Sequence, residues 1–121
     1  MALLTAQDAG PAVEALLSRA CASGRQLWMT TVNLGEVWYS LARRESEEAA
    51  EAKVRKFLEM GVHVAGVDWA LTRRAARLKT KYRLAYADCF AAALAQQLRC
   101  TVVTGDPEFR QLEKEVKVQW L

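Results

Sequence analysis

The chain has 121 residues, of which 52% are hydrophobic and 26% charged, the proportions of a folded globular protein and not of a disordered one. Its net charge of +3 is mild and by itself says nothing about nucleic acid, and its length fits one domain, residues 1–121, with a core covered on two sides. No apolar run approaches the roughly 20 residues of a membrane span, and Met1 to Gly10 lacks the basic start and long apolar stretch of a signal peptide, so a cytoplasmic protein with no membrane attachment is expected.

Pro11, after Asp8 and Gly10, opens PAVEALLSRACASG, where Val13, Leu16, Leu17 and Ala20 make the apolar stripe of a helix ending at Gly24. LWMTTV is short, apolar and β-prone, which predicts a buried strand. Asn33 is expected to cap a helix with Leu34, Val37, Trp38 and Leu41 on one face, and Ser46 to cap another running to Met60 before Gly61. VHVAGV reads as a second strand. Asp68 caps WALTRRAARLKTKYR, with Leu71, Ala75, Leu78 and Tyr82 in register, and Tyr86 to Leu98 is an alanine-rich helix. Thr101 to Val103 is a third strand, Asp106-Pro107 starts a short helix, and Val116 to Leu121 is a fourth strand. Strands alternating with helices predict an α/β fold in three layers: a mainly parallel, twisted sheet of about four strands with helices on both faces.

Three acids lie in apolar segments, where a carboxylate is costly unless donors or a cation compensate it: Glu36 in NLGEVWYSLA, Asp88 in YADCFAAALA and Asp106 in VVTGDPEF. Each has a structural account of its own. Glu36, three residues after Asn33, would close a capping box; Asp88 suits the positive end of its helix; Asp106 before Pro107 is an N-cap. Position points further, because functional groups in a parallel sheet gather beyond the C-terminal ends of the strands. Glu36 and Asp106 follow strands at that edge, whereas Asp88 begins a helix that precedes a strand, so its place depends on packing. If the three meet, their repulsion calls for a divalent metal.

TTVNLGEVWYSLARR, LKTKYRLAYADCFAAALA and VVTGDPEF together resemble the PIN-domain nucleases, in particular the VapC-type toxin ribonucleases of bacterial toxin-antitoxin pairs. The resemblance runs from about Leu3 to Leu121, and its most specific parts are the YADCFAAALA helix and the TGDPEF turn. It implies that Glu36, Asp88 and Asp106 are catalytic and bind Mg²⁺ or Mn²⁺ to cut RNA, with Thr104 a supporting polar group, a cognate antitoxin as partner and a homodimer as assembly. The family opens with an apolar strand that ends in a further metal-binding Asp. Here Met1-Ala2-Leu3-Leu4-Thr5 is read as the end of the following helix, so the strand and its acid are expected to be missing, and Asp8, in the loop before Pro11, does not replace that acid. That omission leaves a competing class, a non-catalytic PIN remnant that binds an antitoxin or itself. An unrelated α/β protein whose acids are only caps is a third.

Other features narrow the choice. Cys21, Cys89 and Cys100 are odd in number and without CxxC spacing, which argues against a disulfide framework or a zinc knuckle. His63 is the one histidine, which argues against histidine acid-base pairs. No Gly-rich phosphate loop, GxSxG elbow or dinucleotide fingerprint occurs. Arg73, Arg74, Arg77, Lys79, Lys81 and Arg83 crowd one helix, either as a solvated face or as a phosphate-contacting surface. Trp38 and Tyr39 are adjacent, so only Trp38 follows the buried stripe; core packing, or a dimer contact for Tyr39, is expected ahead of base stacking.

Overall fold

Short apolar runs form the strands and longer stretches with one apolar face form the helices: β1 (Ala2–Leu4), β2 (Leu27–Thr30), α1 (Thr31–Arg44), α2 (Glu47–Glu59), β3 (His63–Ala65), α3 (Trp69–Lys81), α4 (Tyr86–Leu98), β4 (Thr101–Thr104), a 3-10 helix (Pro107–Leu112) and β5 (Val118–Trp120). The structure, a computed structural model, describes residues 1–5, 24 and 26–120. The helix expected from Pro11, together with Asp8 and Cys21, lies outside the described residues. The strands form one parallel sheet in the order β3-β2-β1-β4-β5. Among the described residues no helix is long and apolar enough to cross a membrane.

The opening residues correct the sequence reading. Ala2–Leu4 is not the end of a helix but the central strand of the sheet, paired with β2 on one side and β4 on the other. The sheet therefore has five strands instead of four. An apolar run this short has no periodicity to separate a buried strand from a buried helix turn, and only the two neighbouring ladders decide. A second correction concerns α1. Its N-cap is Thr30, whose hydroxyl accepts from the Asn33 N–H, so Asn33 stands inside the first turn and Glu36 a turn further on. The capping-box account of Glu36 falls with it, since that role belongs to the third helical residue. The caps at Ser46 and Asp68 are as read from sequence, each accepting from the third helical N–H.

Alternation along the strands divides the core. Leu3 and Val102 face α3, α4, Phe109 and Leu112. Ala2, Leu4, Leu27, Met29 and Val103 face the opposite layer, with Val37 and Leu41 of α1 and Ala50 and Phe57 of α2. Burying one such large apolar side chain is worth about 1.5–3 kcal/mol, more than the net ~1 kcal/mol of one ladder hydrogen bond, so the facing of these residues fixes the register.

Helix α4 is apolar nearly all round, with Cys89 to Ala95 buried without interruption, and such a helix belongs inside a fold. Its alanines let it lie close against β1, β2 and β4. It ends at Arg99, whose left-handed backbone (φ 52°) and N–H bonds to Ala95 and Gln96 carbonyls turn the chain straight into β4. With so short a link, helix and strand run in opposite directions. The start of α4, carrying Asp88, therefore lies at the C-terminal end of the strands.

Candidate metal centre

Among the described residues, the buried polar side chains collect in one place. Carrying the β1–β2 register two residues and the β1–β4 register one residue past the ladders sets Thr5 between Thr30 and Thr104. All three are fully buried, so a row of hydroxyls closes the central strands at their C-terminal ends. The Thr5 and Thr104 Oγ1 atoms are 3.3 Å apart, and Thr104 Oγ1 also accepts from the Asp106 N–H at 3.1 Å. Asp106 caps the 3-10 helix through Oδ1, which accepts from the Glu108 N–H at 2.9 Å, with Pro107 preset at the first helical position. The N-cap account of Asp106 is thus correct.

Asn33 joins this edge to α4. Its side-chain oxygen accepts from the Thr30 hydroxyl, and its Nδ2 donates to the Ala87 carbonyl at 3.0 Å, next to Asp88. Asn33 is fully buried, and burying an amide is tolerated when its groups are paired in this way. No sequence signal marked it beyond its capping propensity, since the second role depends on a contact 54 residues away.

Asp88 and Asp106, each 7% exposed, meet here, and Glu108 joins them from the solvent side. One oxygen from each of the three lies within 4.8 Å of the others. Hard carboxylate oxygens at this spacing are the donor set of a divalent Mg²⁺- or Mn²⁺-type cation, so the cluster fits a metal ion by its chemistry. Glu108 was missed by sequence reasoning. A glutamate in an exposed turn carries no sequence signal of its own, and only the fold brings it beside the two aspartates.

Glu36 is not a member of this trio. It is half-buried on α1, where a hydrogen bond from the Asn33 side chain reaches it; burial pushes its carboxyl above the ordinary value of 4.5, and the Asn33 bond opposes that rise. Asn33 therefore links Glu36 on one side with the first turn of α4 on the other.

The surroundings exclude some chemistry. Cys89 follows Asp88, but burial pushes its thiol above 9.0; the charge of Lys79 opposes the rise and that of Asp88 adds to it. A buried thiol held protonated is no nucleophile. His63 is exposed on β3 and stacks on Trp28 with ring centroids 5.0 Å apart, away from the acids in sequence and by element. The side chains of Arg73, Arg74, Arg77, Lys79, Lys81 and Arg83 are exposed. Gln111 fastens the end of that basic run to the 3-10 helix: its Oε1 accepts from the Arg83 N–H, and its Nε2 donates to the Arg83 and Glu108 carbonyls, each at 3.2 Å.

Comparison with known proteins agrees with this architecture. The chain resembles VapBC2 from Rickettsia felis, crystallised with a DNA fragment from its promoter, with a TM-score of 0.80 and 16% identity over 99% of this chain and 98% of that one. DNA-bound VapBC from Salmonella typhimurium superposes with a TM-score of 0.79 at 16% identity, covering 98% and 96%. VapC20 of Mycobacterium tuberculosis, a sarcin-ricin loop cleaving toxin, gives 0.71 at 21% identity, covering 92% and 94%. At such identities these likenesses carry the fold alone. A search of the curated proteins found no match. Residues 1–115 match the PIN domain, and the chain belongs to the PIN-domain family.

Proposed function

We propose that this protein is a metal-dependent endoribonuclease of toxin-antitoxin type, hydrolysing RNA phosphodiesters at the edge where β1, β2 and β4 end. The observation that carries the reading is the convergence of Asp88 and Asp106, two buried carboxylates from separate elements, within 4.8 Å of each other. Like charges brought together from different elements repel, and a divalent cation is the partner that would use both at once, which supports a functional role for their meeting.

In this reading Asp88 and Asp106 hold Mg²⁺ or Mn²⁺. When bound, such an ion polarises the scissile phosphodiester and lowers the pKa of the attacking water. Asp106 is oriented by the Glu108 N–H on its carboxylate and by Thr104 on its own N–H. In this reading Thr104 is the supporting polar group. Glu36, steadied by Asn33, supplies a further acid on the β2 side of the site. The exposed basic groups from Arg73 to Arg83 supply phosphate contacts along the RNA backbone. A cytoplasmic location, a cognate antitoxin as protein partner and a homodimer complete the proposal; they draw on the resemblance to toxins of VapBC pairs and on the exposed Tyr39, 45% accessible beneath the Arg43 guanidinium.

One observation favours the second reading, a non-catalytic module that binds an antitoxin or itself: the central strand ends in neutral Thr5 where the family resemblance implies an acid. Incubating the purified chain with RNA and Mn²⁺, with and without EDTA, separates the two. Cleavage that EDTA stops supports the nuclease, and an inert, folded chain that binds no metal supports the module.

A further inference from the structure

We infer that Trp69, with Arg73 and Arg77, forms a second binding site for RNA on α3, where an unpaired base stacks on the indole and neighbouring phosphates pair with the two guanidinium groups. The inference rests on the RNA-cleaving reading proposed above and adds to it the place where the strand is held outside the acidic cluster.

Exposure marks the indole. Trp69 is 68% accessible, more than any other large apolar side chain among the described residues, and none of the ring stacks or cation–ring contacts found there involves it. An indole left in water has a free π face, and a stacked ring is the partner that covers it. Its neighbours on the helix are cationic. Leu71, Ala75 and Leu78 form the buried line of α3, and Trp69, Arg73 and Arg77, four residues apart, line the exposed face, each about 6 Å from the next along the axis. Asp68, beside the indole, is engaged as the helix cap, accepting from the Leu71 N–H at 2.9 Å.

Charge names the class of ligand. The segment from Trp69 to Ala87 holds six of the 17 lysines and arginines and none of the 14 acids, in a chain whose net charge is only +3. The one ion pair among the described residues is Lys53 with Glu45, so no acid neutralises these cations. A cationic line ending in an exposed aromatic fits a single-stranded polyanion that carries rings of its own, because phosphates follow the charges and any base offers a π face. A membrane would call for several large apolar side chains on that face, where Trp69 is the only one.

The line also leads to the site. Gln111 fastens Arg83, just past the end of α3, to the Glu108 carbonyl, and the Glu108 carboxylate lies beside Asp88 and Asp106. From there the helix runs about 18 Å to Trp69. A strand gripped at Trp69 therefore reaches the acidic cluster with a few nucleotides between.

The test is binding of a fluorescein-labelled single-stranded RNA of about 12 nucleotides, followed by anisotropy in EDTA so that no metal-dependent cleavage intervenes. The chain is compared with Trp69→Ala, Trp69→Phe and the pair Arg73→Gln with Arg77→Gln. Arg55→Gln with Lys56→Gln removes two exposed charges from α2 as a control. Circular dichroism and sedimentation report fold and assembly. Trp69→Ala is expected to weaken RNA binding about fivefold to a hundredfold, with Trp69→Phe within about threefold of the parent. The Arg73 and Arg77 pair should lower the slope of log affinity against log salt by about 1.4, and the control pair should leave it unchanged. Polyphosphate, a backbone without bases, should bind Trp69→Ala as it binds the parent. Parent-like RNA binding by Trp69→Ala, or an equal loss for polyphosphate, would overturn the stacking site. So would a shift of Trp69→Ala from dimer to monomer, which would assign the indole to a second copy of the chain. An equal effect in the control pair would overturn the role of Arg73 and Arg77. In Mn²⁺, Trp69→Ala should raise KM for RNA cleavage and leave kcat unchanged. RNA that binds through Trp69 but stays uncut by the parent would overturn the nuclease reading and leave the site standing; Mn²⁺-dependent cleavage indifferent to Trp69 would do the reverse.

Discussion

Thr5 and Thr104 meet hydroxyl to hydroxyl, 3.3 Å apart, where the two innermost strands of the sheet end. Thr104 in turn accepts from the Asp106 N–H, so the central strand reaches the acidic cluster through a relay of hydroxyls. Thr5→Asp would set a carboxylate at that strand end with almost no change in volume. In EDTA the variant is expected to lose about 1–3 kcal/mol, the cost of an added buried charge, and to recover it with Mn²⁺ as binding tightens. Thermal melts with and without the ion check this; a variant equally destabilised in both would place Thr5 away from the ion.

Glu36 carries a burial penalty in its charged form, only partly offset by Asn33. A folded-state pKa raised above the unfolded value means the penalty is absent below about 4.5 and complete once pH exceeds the raised value. Glu36→Gln should therefore melt higher than the parent at neutral pH in EDTA, and the two melting curves should converge as the pH falls through the carboxylate range. A difference that does not change with pH would mean the charge is not what the site strains against.

Gln111 bridges Arg83 to Glu108 with three hydrogen bonds, holding the linker before α4 against the turn that follows β4. Gln111→Ala should lower stability by no more than about 1.5–3 kcal/mol, since the amide is exposed and each of the three bonds is worth ~0.5–1 kcal/mol net. Faster hydrogen exchange of the Arg83 amide is the more specific sign. Unchanged exchange there would show that the linker is held by other contacts.

Arg99 holds a left-handed backbone at the C-terminus of α4 with a side chain that gains nothing there that the structure shows. Arg99→Gly is expected to stabilise the protein by about 0.5–1 kcal/mol, measured by urea unfolding. A loss of stability would mean that the arginine side chain makes up for its strained backbone.

Much of this arrangement was legible in the sequence. Ser46, Asp68 and Asp106 announced the helices they cap, because capping is a local exchange of hydrogen bonds. The strand at Ala2–Leu4 was not legible, because its identity lies in two ladders formed with residues far along the chain. The same holds for Asn33: it reads as a cap, but its amide spans from Thr30 to Ala87. Asp88 and Asp106 were found from the cost of placing acids in apolar segments. Glu108 lies in an exposed turn, where a glutamate is ordinary, and only the folded turn brings it to the pair.

The account stands or falls on whether this chain cuts RNA with the carboxylates at its strand ends. The direct measurement is cleavage of a defined RNA by the purified protein in Mn²⁺, run beside EDTA and beside Asp88→Asn, with circular dichroism to verify that the variant is folded. The account predicts internal cleavage that requires the ion and that falls by at least about 10²-fold in Asp88→Asn, the scale of losing one group that acts on the transition state. Cleavage that persists in the folded variant, or none by the folded parent, would contradict it.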